Sequence, residues 1–225
     1  VTITTNDDSG TDADVTIDGG TTALILAAST IDGDLTVTSG NASGITDSGT
    51  LTVGGNLAAT TDANNGLINL GTLAVDGTVA LTTNGSGNAT AVNDAGLTFA
   101  ASTVGGNLSA TATTGNITDN GKLTIAGTSS FTTSADNADI TLNNPNAFTG
   151  AVALTTNGSG NATIDNGPTA LNIAASSVGG NLTLTSGAAA GITDSGTITV
   201  AGNLVATTDA NNGVIDLDQT AVTGT

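Results

Sequence analysis

Apolar residues and small hydroxyl residues take turns along much of the chain. Leu35-Thr36-Val37-Thr38, Leu51-Thr52-Val53, Leu182-Thr183-Leu184-Thr185 and Ile198-Thr199-Val200 each alternate strictly. A period of two predicts strands with one buried face, because successive side chains of an extended chain point to opposite sides. Val, Ile and Thr suit such a half-buried pleated surface. No run at i, i+3, i+4, i+7 is long enough to make a helix, and no apolar stretch approaches the roughly 20 residues of a membrane span. With 37% hydrophobic residues, the chain has the apolar surface that disordered chains lack. The pattern predicts an ordered, all-β protein.

The strands recur within repeats. Residues 31–78 match 178–225 without a gap at an offset of 147, carrying ITDSGT from 45–50 to 192–197 and ATTDANNG from 59–66 to 206–213. VALTTNGSGNAT at 79–90 returns at 152–163, an offset of 73. The chain is therefore read as one solenoid of three superrepeats, 1–78, 79–151 and 152–225, the first lengthened by extra residues in the Asp7–Asp14 stretch. Inside each superrepeat, a Gly followed two residues later by an aliphatic residue (by slip, Phe131 in one case) falls at 33, 55, 77, 106, 127, 150, 180, 202 and 224. The intervals are 22, 22, 29, 21, 23, 30, 22 and 22. From Gly180, three short strands are expected at Leu182–Thr185, Gly191–Thr193 and Thr197–Val200, with Ala170–Ala174 a fuller strand in a longer interval.

Three strands in about 22 residues is what a parallel β-helix needs, each coil hydrogen-bonding to the next at about 4.8 Å. The expectation is a right-handed β-helix of about nine coils, with longer coils every third turn and a rod on the order of 40 Å. Immunoglobulin-like sandwiches would show no internal 22-residue period. Left-handed β-helices are built on hexapeptides, which this spacing does not fit. A narrow core explains the small apolar residues and only 3 Phe, of which Phe99, Phe131 and Phe148 are expected inside.

Composition removes most chemistry. There is no Cys, His, Met, Trp or Tyr, no Arg and no Glu; all 19 acidic residues are Asp, Lys122 is the one cation, and the formal charge is −18. A disulfide framework, a thiolate metal site, a histidine base and an arginine clamp are excluded. So acidic a surface repels nucleic acid and anionic lipid. We expect no enzyme: the carboxylates lack a cationic partner other than Lys122, and most sit in turns beside Gly or Asn, where they cap backbone.

Gly-Asn-Leu-Thr-Leu-Thr at 180–185, Gly-Ile-Thr-Asp-Ser-Gly at 191–196 and Thr-Ile-Thr-Val-Ala-Gly-Asn-Leu at 197–204 resemble the repeat region of filamentous-haemagglutinin-like exoproteins. The resemblance covers essentially the whole chain and is shared with other secreted β-helices. It implies a bacterial surface adhesin exported by two-partner secretion, a right-handed β-helical shaft and an extracellular location. Absence of Cys suits a chain that crosses an outer membrane unfolded. The family's secretion domain is not visible, and the chain begins at Val1 without a signal peptide. Asn143-Asn144-Pro145-Asn146 superficially resembles that domain's Asn-Pro-Asn motif, but aligns with the turn at Asp218–Thr220 and is read as a turn. Because Thr225 aligns with Thr78, we expect a piece of a longer, uncapped array.

Three features could carry binding. Asn6-Asp7-Asp8-Ser9-Gly10-Thr11-Asp12-Ala13-Asp14 is the densest carboxylate cluster, making Asp7, Asp8, Asp12 and Asp14 candidate calcium ligands against the alternative of a solvated acidic loop. Asp216 with Asp218, and Asp136 with Asp139, are weaker versions. Thr36 and Thr38, Thr183 and Thr185, and Thr82 and Thr155 are expected to point outward and stack, an arrangement also found in ice-binding β-helices. Asn64-Asn65 and Asn211-Asn212, with Asp136-Asn137 between, are expected to bond one another at turns. The sequons at Asn88 and Asn161 are read as coincidental. No cofactor is expected beyond calcium. The functional expectation is a structural, adhesive rod, as an adhesin shaft or as a fibre protomer that assembles end to end or laterally. The alternative is a polysaccharide- or calcium-binding module, one face of which grips host or biofilm surface polymers, either polysaccharide or calcium-bridged anionic polymer.

Overall fold

The computed structural model describes residues 1–5, 12–209 and 212–225, and among these every regular element is a strand. The alternation seen in the sequence becomes alternation of burial. In Leu35–Ser39, Leu35, Val37 and Ser39 face the core while Thr36 is exposed. All ladders between named strands are parallel, as a coil stacked on a coil requires. This is the expected parallel β-helix.

Its cross-section has two sides, each one continuous sheet. One side runs from Val15–Asp18 through Leu35–Ser39, Leu57–Asn64 and Thr78–Asn84 to Leu204–Thr208; the other runs from Leu24–Leu26 to Ile215–Asp216. Each path holds ten strands, hence nine rises from coil to coil, roughly 43 Å at 4.8 Å per rise. The strands expected after Gly180 appear as Leu182–Ser186, Ile192–Asp194 and Ile198–Val200, while Ala170–Ala174 shortens to Leu171–Ile173.

A side is built in one of two ways: one long strand, or two short strands joined at a bend. Thr78–Asn84, a long strand, carries both Leu97–Phe99 and Ser102–Val104 on its next edge. Val152–Asn157 likewise carries Leu171–Ile173 and Ser176–Val178. The Gly-led long strands of the first and third superrepeats lie in one sheet, and those of the second, such as Leu108–Ala112, lie in the other. From Leu35–Ser39 to Leu182–Ser186, the 147-residue offset, there are seven rises, so a coil takes 21 residues. The 73-residue superrepeat is then about three and a half coils. The intervals of 29 and 30 mark the points where the long strand changes sides.

Two devices hold this geometry. Where the Gly corners stack, no side chain fits: a Cβ on Gly55 would lie 2.7 Å from the Gly33 carbonyl carbon. A buried Asn makes the join where a long strand follows an irregular side, the single strand Ile68–Val75 with its register shift in one case and the short strands Ile140–Leu142 and Ala147–Phe148 in the other. Asn93 accepts from the Val75 N–H at 2.9 Å and donates to the Val75 carbonyl at 3.0 Å. Asn166 does the same with Phe148, at 2.7 and 3.1 Å. The core is one aliphatic column, with Phe99, Phe131 and Phe148 fully buried as expected and packed edge to face at 6.4 and 5.6 Å. The turn at Asn143-Asn144-Pro145-Asn146 is confirmed, and its Asn146 is buried, accepting from the Leu123 N–H at 2.7 Å.

Asn93→Ala strands the Val75 backbone pair in the core and should cost about 2–6 kcal/mol, at the unsatisfied-group rate of about 1–3 kcal/mol each. A thermal melt within a degree of the wild type would contradict that role. Ser129 is inward-facing, and its hydroxyl is buried without a hydrogen-bond partner. Ser129→Ala should therefore be neutral or stabilising by about 1 kcal/mol, since it removes an unpaired polar group; a clear fall in melting temperature would count against this.

Candidate functional site

Side-chain chemistry on this rod is spent mainly on the next coil. At the turn leading into one side, the Asp14 Oδ1 accepts the Asp34 N–H, the Asp34 Oδ1 accepts the Asn56 N–H, and the Asn56 Oδ1 accepts the Thr78 N–H, at 2.8, 2.7 and 2.9 Å. The ladder resumes from Asn116 through Asp139, Asn161, Asn181 and Asn203 to Thr225, each link 2.7–2.8 Å. A parallel one on the opposite side runs Asn88, Asn107, Thr128. Asp and Asn are interchangeable here because each position needs only an Oδ1 acceptor placed one coil below an N–H. The sequons Asn88 and Asn161 belong to these ladders, so their amides are engaged in holding coils.

Other carboxylates are spent the same way. Asp47 accepts from the Gly71 and Thr72 N–H groups at 3.1 and 2.6 Å, and Asp119 accepts the Asn146 amide at 2.7 Å. Of the calcium candidates, Asp7 and Asp8 lie outside the described residues. Asp12 and Asp14 are both exposed, and Asp14 is committed to the ladder. Asp139, paired with Asp136 in the sequence reading, accepts from Asn161. Among the described residues, no group of three or more acidic side chains is gathered around a point that could hold a metal ion.

The paired Asn turns differ from expectation. Asn65, Asn137 and Asn212 each take a left-handed backbone, φ 63°, one per superrepeat and several coils apart, so they do not reach one another. Asn65 instead accepts from the Ser86 N–H and hydroxyl, both at 2.8 Å, and Asn137 from the Ser159 N–H and hydroxyl, at 2.9 and 2.6 Å. Asn211 lies outside the described residues. The missed signal was the Ser of NGSG, which recurs at 86 and 159 one coil beyond each Asn.

Threonines do stack. Thr78, Thr98, Thr118, Thr141, Thr163 and Thr183 form one in-register row, and Thr38, Thr60, Thr82, Thr103 and Thr124 another. Thr78 and Thr82 share one long strand, whereas in the next two coils Thr98 and Thr103, and Thr118 and Thr124, sit on opposite arms of a bend. Thr36-x-Thr38 is bordered in the next coil by Ala58-x-Thr60, so the ladders are single file, not a flat multi-row array. A shallow groove of about 270 Å³ lies along one bend, lined by Thr50, Thr72, Leu73, Val92, Asp94 and Thr113. It offers one carboxylate and no aromatic platform.

Asn181→Ala removes one exposed ladder link and should lower stability by about 0.5–1.5 kcal/mol, the net worth of one hydrogen bond. A loss as large as that of the buried Asn93→Ala would show that the ladders carry more than this.

Comparison with known proteins agrees with the repeat structure without adding an activity. No curated protein and no solved structure matches the chain. Residues 12–70, 86–155 and 159–225, most of the chain and one segment per superrepeat, each match the family described as "Repeats of unknown function (DUF5649)". The chain belongs to that family of repeats.

Proposed function

We propose that this chain is a structural, non-enzymatic spacer: a stiff β-helical shaft of a bacterial surface adhesin, working outside the cell. The observation that carries the reading is the use to which its polar groups are put. Asp and Asn side chains are aimed along the rod axis at the next coil's backbone instead of converging on a substrate. Such bonds add to nearest-neighbour stacking, which makes a solenoid rigid along its length. The resemblance of the repeats to filamentous-haemagglutinin-like exoproteins supports the bacterial surface location. Absence of Cys supports export in an unfolded state. The groove beside Asp94 favours a shaft over a polysaccharide-gripping face, because sugar-binding surfaces use aromatic stacking and this chain has no Trp or Tyr.

Spin labels on Thr16→Cys and Val205→Cys, at the first and tenth strands of one sheet, should report a narrow distance distribution centred roughly 43 Å apart in pulsed electron resonance. Antibodies to the chain should label intact cells of the producing organism. A broad distance distribution would remove the stiff shaft, and labelling only after permeabilisation would remove the surface role.

A further inference from the structure

Asn-Gly occurs six times, at residues 65, 84, 120, 157, 166 and 212. The glycine leaves the backbone nitrogen after each Asn unshielded, because no Cβ stands beside it. That nitrogen is able to attack the Asn side-chain carbon once the two are brought together, so the fold decides which sites react.

At Asn84 the side chain is bent back on the main chain. Its Oδ1 accepts the Gly85 N–H at 2.8 Å, while its Nδ2 donates to the Asp62 carbonyl one coil below at 3.1 Å. Asn157 repeats this with the Gly158 N–H at 3.0 Å and the Ser134 carbonyl at 3.3 Å. Both side chains are exposed, and both glycines are left-handed, φ 63° and 60°. Each amide is clamped at both ends with its Cγ beside the next residue's nitrogen, the near-attack arrangement for ring closure.

Other sites are held apart. The Gly66 N–H donates to the Ala63 carbonyl at 3.1 Å, and the Asn65 Oδ1 is turned to Ser86 on the next coil. Asn212 repeats the left-handed backbone of Asn65. Asn166 is fully buried with its amide bound to Phe148, and the Gly167 N–H donates to the Asp165 Oδ1 at 2.8 Å. Asn120 is exposed, and among the described residues neither its amide nor the Gly121 N–H has a hydrogen-bond partner, so its geometry is unguided.

We infer that Asn84 and Asn157 are modification sites, at which the folded chain deamidates itself. The Gly85 nitrogen bonds to the Asn84 Cγ, the Cγ–Nδ2 bond breaks, and the N–H proton leaves with Nδ2 as ammonia, giving a succinimide. Water then opens the ring. Attack at Cγ leaves an ordinary aspartate; attack at the main-chain carbonyl leaves isoaspartate, with the chain running through Cγ.

Either product loosens the stack. An aspartate has no N–H to donate to the Asp62 carbonyl. In isoaspartate, the Asn84 carbonyl that accepts the Asn65 and Gly87 N–H groups, at 3.0 and 3.3 Å, becomes a carboxylate no longer fixed in the main chain. The lengthened chain also displaces the Gly85 carbonyl, which lies so close to Gly105 that a Cβ there would overlap it. The two sites are 73 residues apart, at the ends of strands in different sheets, so the loosening falls on both sides of the rod. The inference concerns these turns and holds whatever the rod's role.

The chain is aged in heavy-oxygen water at mildly alkaline pH, and the oxygen taken up on ring opening is located by top-down fragmentation mass spectrometry. Label should accumulate first at Asn84 and Asn157, more slowly at Asn120, and roughly a hundredfold more slowly at Asn65 and Asn166, the penalty for a reacting pair held about 1 Å out of place. Ageing in denaturant should bring Asn65, Asn84, Asn120 and Asn157 to similar rates. Asn84→Gln should silence that position and leave Asn157 labelling as before. Equal label at Asn65 and Asn84 in the folded chain, label at Asn84 and Asn157 no faster than at Asn120, or the same ranking in denaturant would overturn the inference. A fully labelled chain that melts like a fresh one would overturn the loosening.

Discussion

Every coil must present the next one with a backbone edge in the same place and the same register, because parallel hydrogen bonding between coils is the only strand pairing among the described residues. That constraint selects the rest. A side chain at one level must tolerate its equivalent about 4.8 Å away at the next, which favours Val, Leu and Ile inside, Thr outside and Gly at corners where stacked backbones approach too closely for a Cβ. It also explains the Asx ladders. An Oδ1 one coil below an N–H satisfies a turn donor that has no strand partner, so the turns are held by the same axial repeat that holds the sheets.

Stacking also decides how the chain can lengthen. A repeated unit can be appended only if it ends where the next coil can begin. Seven rises over 147 residues satisfy that with whole coils. A 73-residue unit satisfies it with a half-integral number because one long strand and two short strands around a bend subtend the same side. The equivalence is not free. Where a long strand follows an irregular side, a backbone donor and acceptor would go unpaired in the core, a cost of about 1–3 kcal/mol each. Asn93 and Asn166 remove it by substituting a side-chain amide for a missing peptide group. Because the long strand changes sides, outward rows such as Thr78 to Thr183 continue in one sheet while the sequence beneath them changes register with the motif.

Much of the fold was legible. Alternation in Leu182-Thr183-Leu184-Thr185 fixed which residues face inward, and the Gly intervals fixed the coil. What the intervals of 29 and 30 meant was not legible, since spacing along a chain does not say which side of a closed coil a motif occupies. Asn93 and Asn166 could not be told from turn residues, because a buried amide and a loop amide look alike until the strand beneath is placed. The expected pairing of Asn65 with its equivalents failed for a related reason. Equivalent residues in different superrepeats stand three and a half coils apart, whereas hydrogen bonds reach only the adjacent coil, where Ser86 sits. Of the calcium candidates, Asp14 shows what composition does not reveal: a carboxylate and an amide serve one ladder equally, so an Asp at this turn has a role that needs no cation.

That interchangeability has a consequence for the whole rod. Each Asp used as an acceptor adds a full negative charge where an Asn would add none, and the ladders place such charges on the outer turns along the length. Charges two or more coils apart are largely screened at physiological salt, where the screening length is about 8 Å, so repulsion is felt chiefly by pairs on adjacent coils, such as Asp14 and Asp34. Lateral approach of two rods opposes many charges at once and is disfavoured, which protects the exposed Thr faces from sheet-to-sheet aggregation.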